Sequence, residues 1–201
     1  MEVVKDALVK EAHGEDLELA TMVRNTLADI QSRGGAAVRE LSEKFDNWSP
    51  ESFRLSEAEI AEIMGGVEPS VISDIEWAQT QIRGFAQHQL STLNDVEVET
   101  LPGVFLGHRN LPVENVGCYV PGGRFPMVAS AHMSVLTAKV AGCARVVACT
   151  PPIGGEIPAE TIAAMHMAGA DEIYLLGGIQ ADGVDGIRRR HGWGRHDRRA
   201  R

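Results

Sequence analysis

Three apolar runs rich in β-branched residues shape the second half of this 201-residue chain: ENVGCYV at 114–120, ARVVACT at 144–150 and DEIYLLGG at 171–178. Helical segments at roughly 129–141 and 159–168 separate them. Strands apolar on both faces and joined by helices must be covered on each side. The β-α-β-α-β succession therefore predicts an α/β fold with a parallel sheet. Crossovers of this kind are right-handed and gather ligand sites at the carboxyl ends of the strands. The turns that follow the three runs are thus the first place to look for chemistry.

The first half has a different period. Leu17, Leu19, Ala20, Val23, Leu27 and Ile30 fall near 3.6-residue spacing, and Gly34 and Gly35 supply a stop, which predicts an amphipathic helix from Asp16 to Arg33. AAVRELSEKFD predicts a second helix. A third starts at Ser56, where Glu59 completes capping-box spacing. Pro69 opens a long fourth that ends near Leu93, with Trp77 and Phe85 assigned to packing. Beyond Asn94, VEVET and GVFLGHRN read as two short strands turned at Leu101, Pro102 and Gly103, an antiparallel pair.

Composition narrows the partners. Nineteen basic and twenty-eight acidic residues leave a net charge of -9, which argues against nucleic acid or an anionic membrane as the main partner. Lys139 and Arg145 break the longest apolar stretches, short of the ~20 residues that span a bilayer. The first residues lack the apolar segment of a secretory signal, so a cytoplasmic protein is expected. Cys118, Cys143 and Cys149 are odd in number and show no CxxC spacing, which predicts buried thiols.

Candidate site residues cluster after the first and third runs. The first strand ends at Val120 and turns through Pro121, Gly122 and Gly123. Paired glycines let backbone N–H groups approach a ligand or satisfy a tight packing turn, and the pattern is neither GxGxxG nor a P-loop. Arg124 and His132 follow, a cation pair suited to a sulfonate, phosphate or carboxylate, or else a solvated turn residue and a packing imidazole. Tyr119 can stack on or hydrogen-bond a ligand, or form an aromatic rim. Gly177, Gly178 and Gln180 make a second glycine turn with a polar amide.

Five separated stretches carry a resemblance that runs from Leu17 to Ala181: GGAAVRELSEKFDNW, IRGFAQHQL, GHRNLPVENVGCYVPGG, TAKVAGCARVVACTPP and AGADEIYLLGGIQA. In this order they resemble the amino-terminal part of the histidinol dehydrogenase family. The resemblance implies Rossmann-like domains, two NAD and a zinc ion, and oxidation of an alcohol to a carboxylate through an aldehyde, L-histidinol to L-histidine in the family's biosynthetic branch. It implies NAD contacts at Tyr119 and Gln180 and a homodimer. After Gly123 the family's usual Ser-Thr-x-L-M helix start is replaced by RFPMVASAHMS. This looks like the branch that oxidises sulfopropanediol, for which Arg124 and His132 suit a sulfonate.

The resemblance also implies that the family's zinc ligands and its Glu-His acid/base pair lie beyond the last residue here. Metal and catalytic residues in this chain are accordingly read as none, and no turnover is expected without them. The organisation expected is a helical region at 1–95, a partial Rossmann-like NAD-binding domain at 96–181 and a basic tail at 182–201. That tail holds seven Arg and three Asp after a body of net charge -13. It reads as a disordered, out-of-frame end, because a one-nucleotide shift permits the family's V-D-x-I-V-G-P-G. The expected fold is a helical amino-terminal layer followed by half of a parallel sheet, truncated relative to the family. A non-catalytic NAD- or anion-binding module and a protein whose basic arm binds nucleic acid are the rival functions.

Overall fold

A computed structural model describes residues 15–122 and 125–183. Four helices come first: α1 (Glu15–Arg33), α2 (Gly35–Asp46), α3 (Glu57–Gly66) and α4 (Pro69–Ser91). A two-stranded antiparallel hairpin follows, β1 (Val96–Leu101) and β2 (Val104–His108). The rest is β3 (Asn115–Tyr119), a helical crossover, β4 (Arg145–Thr150), helix α7 (Ala159–Ala168) and β5 (Glu172–Leu175). The crossover comprises α5 (Val128–Ala131), a π-helical turn at His132–Leu136 and α6 (Thr137–Val140). A 3-10 turn at Ile179–Gly183 closes the described chain.

Both parallel pairings are present, in the order β3-β4-β5, with Tyr119 opposite Cys149 and Cys149 opposite Tyr174. Alternate residues of β4 enter opposite sides. Val146 and Ala148 join a core with Ile75, Leu136, Ile162 and Met165, whereas Val147 and Cys149 join one with Ile30, Val38, Leu176 and Ala181. The amino-terminal helices therefore divide between the two faces. Helices α3 and α4 lie with the crossover and α7, while α1 and α2 lie against the 3-10 turn. Phe53 and Leu55 run along the open edge of β5, where Leu55 N–H donates to Ile173 and Leu175 N–H donates to Phe53, so that edge is paired rather than exposed.

The start of α3 is made by its own side chains. Ser56 Oγ accepts from Glu59 N–H at 3.2 Å, and Glu59 Oε2 accepts from Ser56 N–H at 2.7 Å. Ser56→Ala should cost about 1 kcal/mol and lower the thermal midpoint by roughly 2 to 4 °C, a loss that a melting curve would register.

Trp77 and Phe85 are corrections to the packing assignment: they are 69% and 65% exposed. Helix α4 buries Ile75 and Gln79, and Trp77 lies about 200° around the helix from Ile75, on the face turned away from the core. Cys118, Cys143 and Cys149 are buried free thiols, as expected. No helix among the described residues is long and apolar enough to cross a membrane. Gly123, Arg124 and residues 184–201, with most of the basic tail, lie outside the described residues.

Candidate functional site

The ladders run one residue past β3 and β5. Val120 N–H donates to Cys149 and Leu176 N–H to Thr150, so the three chains leave the sheet together. Pro151 then stands between the two glycine corners. A Cβ added at Gly122 would collide with Pro151 Cγ, and one at Gly177 would collide with Pro151 Cβ. Both glycines thus use their missing side chain for close packing, one of the two meanings the paired glycines carried in the sequence.

Across this junction the phenol oxygen of Tyr119 accepts a hydrogen bond from Gly178 N–H at 3.3 Å. Tyr119 is 46% exposed, so about half of the residue is open to solvent. Burial of the rest raises the phenol above its ordinary value, opposed by the Gly178 N–H and reinforced by the nearby Cys149 and Asp46. The hydroxyl therefore stays protonated at neutral pH, and with Gly178 occupying a lone pair it has an O–H left to donate. Gly178 has a φ of 63°, and a Cβ there would meet Gln180 Oε1 at 2.7 Å. The left-handed φ favours glycine, and any side chain there would press on the Gln180 amide folded over it.

Gln180 is buried, at 3% exposure, and its Nε2 donates to Asp46 Oδ2 at 3.2 Å. Burial raises the carboxyl of Asp46 above its ordinary value, with the Gln180 hydrogen bond pulling the other way. Asp46 was not singled out by the motifs. One signal was available: it is the last residue of α2, where the helix dipole disfavours a negative charge, followed by Asn47 in the left-handed region at φ 50°.

Tyr119, Gln180 and Gly122 are thus brought to one end of the sheet. His132 is not. It is 3% exposed within the π-helical turn, and its Nδ1 lies 3.3 Å from Gln79 Nε2, which also donates to the Ala164 carbonyl at 2.9 Å. An amide nitrogen can only donate, so Nδ1 accepts and the ring proton sits on Nε2. Burial lowers the pKa of this imidazole, which is neutral at pH 7. Of the two meanings considered for His132, the structure gives the packing one. Among the thiols, burial pushes Cys118 up to about 11, which removes it as a nucleophile at neutral pH.

The family model described as histidinol dehydrogenase matches residues 9–184. This chain belongs to the histidinol dehydrogenase family. A histidinol dehydrogenase homolog of Shouchella clausii is 60% identical over 173 residues, covering 86% of this chain and 40% of that protein. Sulfopropanediol 3-dehydrogenase of Ruegeria pomeroyi is 42% identical over 177 residues, 88% of this chain and 40% of its own length. Histidinol dehydrogenase of Methanosarcina barkeri is 37% identical over 174 residues, with 86% and 40% covered. The crystal structure of histidinol dehydrogenase from Elizabethkingia anophelis superposes with a TM-score of 0.76 at 29% identity, covering 91% of this chain and 39% of that one. The chain spans about 40% of the length of these curated relatives. Members of the histidinol dehydrogenase family are NAD-dependent oxidoreductases, and the α/β fold with its parallel sheet is the one expected from the sequence.

Proposed function

We propose that the strand-end cluster is a dinucleotide site, and that it supplies the nucleotide contacts for an NAD-dependent oxidation of an alcohol to a carboxylate through an aldehyde, a reaction the described residues do not complete by themselves. The observation that carries this reading is Tyr119: a half-exposed, protonated phenol at the carboxyl end of β3, its oxygen held by the N–H of the β5 turn. A ring face for stacking beside an O–H donor fits a nucleotide, and parallel sheets of this kind bind dinucleotides at that end. Tyr119 is the residue of this chain assigned to direct contact with NAD, with Gly122 beside it and Gln180, enclosed at 3% exposure, behind it. When bound, NAD supplies the hydride acceptor.

The described residues do not fit zinc. Among the described residues no three His, Cys, Asp or Glu side chains come together as a metal site.

The substrate reading is L-histidinol, in a small-molecule enzyme of the cytoplasm. Oxidation of a sulfonated diol is the second reading. It is favoured by the 42% identity to a sulfopropanediol 3-dehydrogenase against 37% to a histidinol dehydrogenase, and Arg124 is its anion-binding residue.

Calorimetric titration of NAD into the 201-residue chain tests the dinucleotide site. Micromolar binding is expected, and Tyr119→Ala should weaken it about tenfold through the lost ring and hydrogen bond. Absence of binding up to millimolar NAD, or an affinity indifferent to Tyr119→Ala, overturns the reading.

A further inference from the structure

Among the described residues, Asp46 is a charged group seated directly on the strand-end cluster that the dinucleotide reading does not use. It comes from α2, far in sequence from β3 and β5, yet its carboxylate takes the Gln180 Nε2–H at 3.2 Å. Gln180 belongs to the 3-10 turn at Ile179–Gly183, and that turn is packed against α1 and α2. Immediately before it, Gly178 donates its N–H to Tyr119. The chain of contacts therefore runs Asp46 to Gln180, Gln180 over Gly178, and Gly178 to the half-exposed phenol.

We propose that Asp46 is a positioning residue of the dinucleotide site: through Gln180 it pins the β5 turn to α2, so that Gly178 N–H fixes the direction in which Tyr119 donates its O–H. The inference rests on the reading of Tyr119 as a dinucleotide contact. Its physical basis is that a carboxylate only accepts hydrogen bonds, so Asp46 selects the Nε2 side of the amide. Oε1 then faces Gly178, where an added Cβ would come within 2.7 Å of it. A carboxylate also makes the stronger, charge-assisted bond, which a short helical turn needs to stay docked. Tyr119 sits close enough to Asp46 to feel its charge.

Two measurements on the 201-residue chain test this. The first is NAD affinity in Asp46→Ala, Asp46→Asn, Gln180→Ala and the Asp46→Ala/Gln180→Ala double variant. Residues acting in series give non-additive losses. Each alanine variant should weaken NAD binding about tenfold, the double variant should be no worse, and Asp46→Asn, whose amide oxygen still accepts from Gln180, should stay within about threefold of the parent. A merely structural role would instead multiply the two losses to about a hundredfold.

The second measurement needs no cofactor. The chain has two tyrosines, Tyr119 and Tyr174, so ring-labelled tyrosine gives two NMR signals, assigned with Tyr119→Phe. The Tyr119 signal should move in Asp46→Ala and return in Asp46→Asn. If it stays in place in Asp46→Ala, or the double variant is multiplicative, the positioning role is overturned while Tyr119 can still bind NAD. If the signal follows Asp46 but NAD does not bind, the dinucleotide reading fails and takes this role with it.

Discussion

Gly177→Ala should lower the stability of the chain by about 3 kcal/mol, seen as a fall of roughly 6 to 12 °C in the thermal midpoint. The cause is steric. Gly177 is not among the glycines with positive φ, so its backbone asks for no special conformation. The added methyl would collide with Pro151 Cβ and lie 3.2 Å from its Cα and 3.3 Å from its Cγ. Neither Cβ nor Cα can move without the backbone after β4, which is tied to Leu176 by the hydrogen bond from Leu176 N–H to Thr150.

Gly122→Ala should cost only about 1.5 kcal/mol, because there the obstacle is the ring tip, Pro151 Cγ, which can pucker away. A second substitution separates the two cases. Pro151→Ala removes Cγ and keeps Cβ, so in that background Gly122→Ala should be nearly neutral, within about 0.5 kcal/mol, whereas Gly177→Ala should remain as damaging as before. Equal rescue of both would show that the corner is held by something other than this contact.

At the opposite end of the sheet, Glu172→Gln should destabilise by about 3 kcal/mol near neutral pH. Glu172 and Arg145 are the first residues of β5 and β4, with side chains only 10% and 13% exposed. Arg145 donates through Nε and Nη2 to Oε1, both at 2.6 Å. Tyr174 donates its hydroxyl to Oε2 at 3.0 Å, and the more exposed Arg54 adds a contact at 3.5 Å. Burial alone would raise this carboxyl, but the bonds from Arg145 and Tyr174 and the two cationic charges outweigh it, so its value lies below the ordinary 4.5.

The sign of the pH dependence follows. A carboxyl whose folded value is depressed contributes stability that is fully present above its unfolded value, about 4.5, and is lost as pH falls through the folded one. The gap between the parent chain and Glu172→Gln should therefore be widest above about pH 5 and close steadily below pH 4.5, as the parent's own glutamate becomes neutral. Denaturant unfolding at several pH values measures that gap. A gap that stays constant down to pH 3 would show that the charge of Glu172 contributes nothing.

The large elements were legible before the structure because each rests on a local signal. Ile30 and its helical neighbours, the Ser56/Glu59 box, Pro69 at the start of α4 and the turn at Gly103 each express a periodicity or a cap within a few residues. The parallel sheet was legible because ARVVACT is apolar at every position that its two faces require, and Val146 and Val147 do enter opposite cores. Trp77 and Phe85 were misassigned because a hydrophobic stripe shows periodicity without showing which residues stand on the buried side.

For the site, the sequence by itself marked the two glycine corners, Tyr119 and Gln180, since glycine at a strand end and a polar residue beside it are local features. Only the tertiary structure decided that Gly122 and Gly177 make room for Pro151, that His132 is enclosed against Gln79, and that Asp46 reaches Gln180. The physical reason is range. Backbone preferences and periodicity act over a turn or two of chain, whereas these contacts join residues 26 to 134 positions apart and exist only once the sheet and its two helical covers have closed around them.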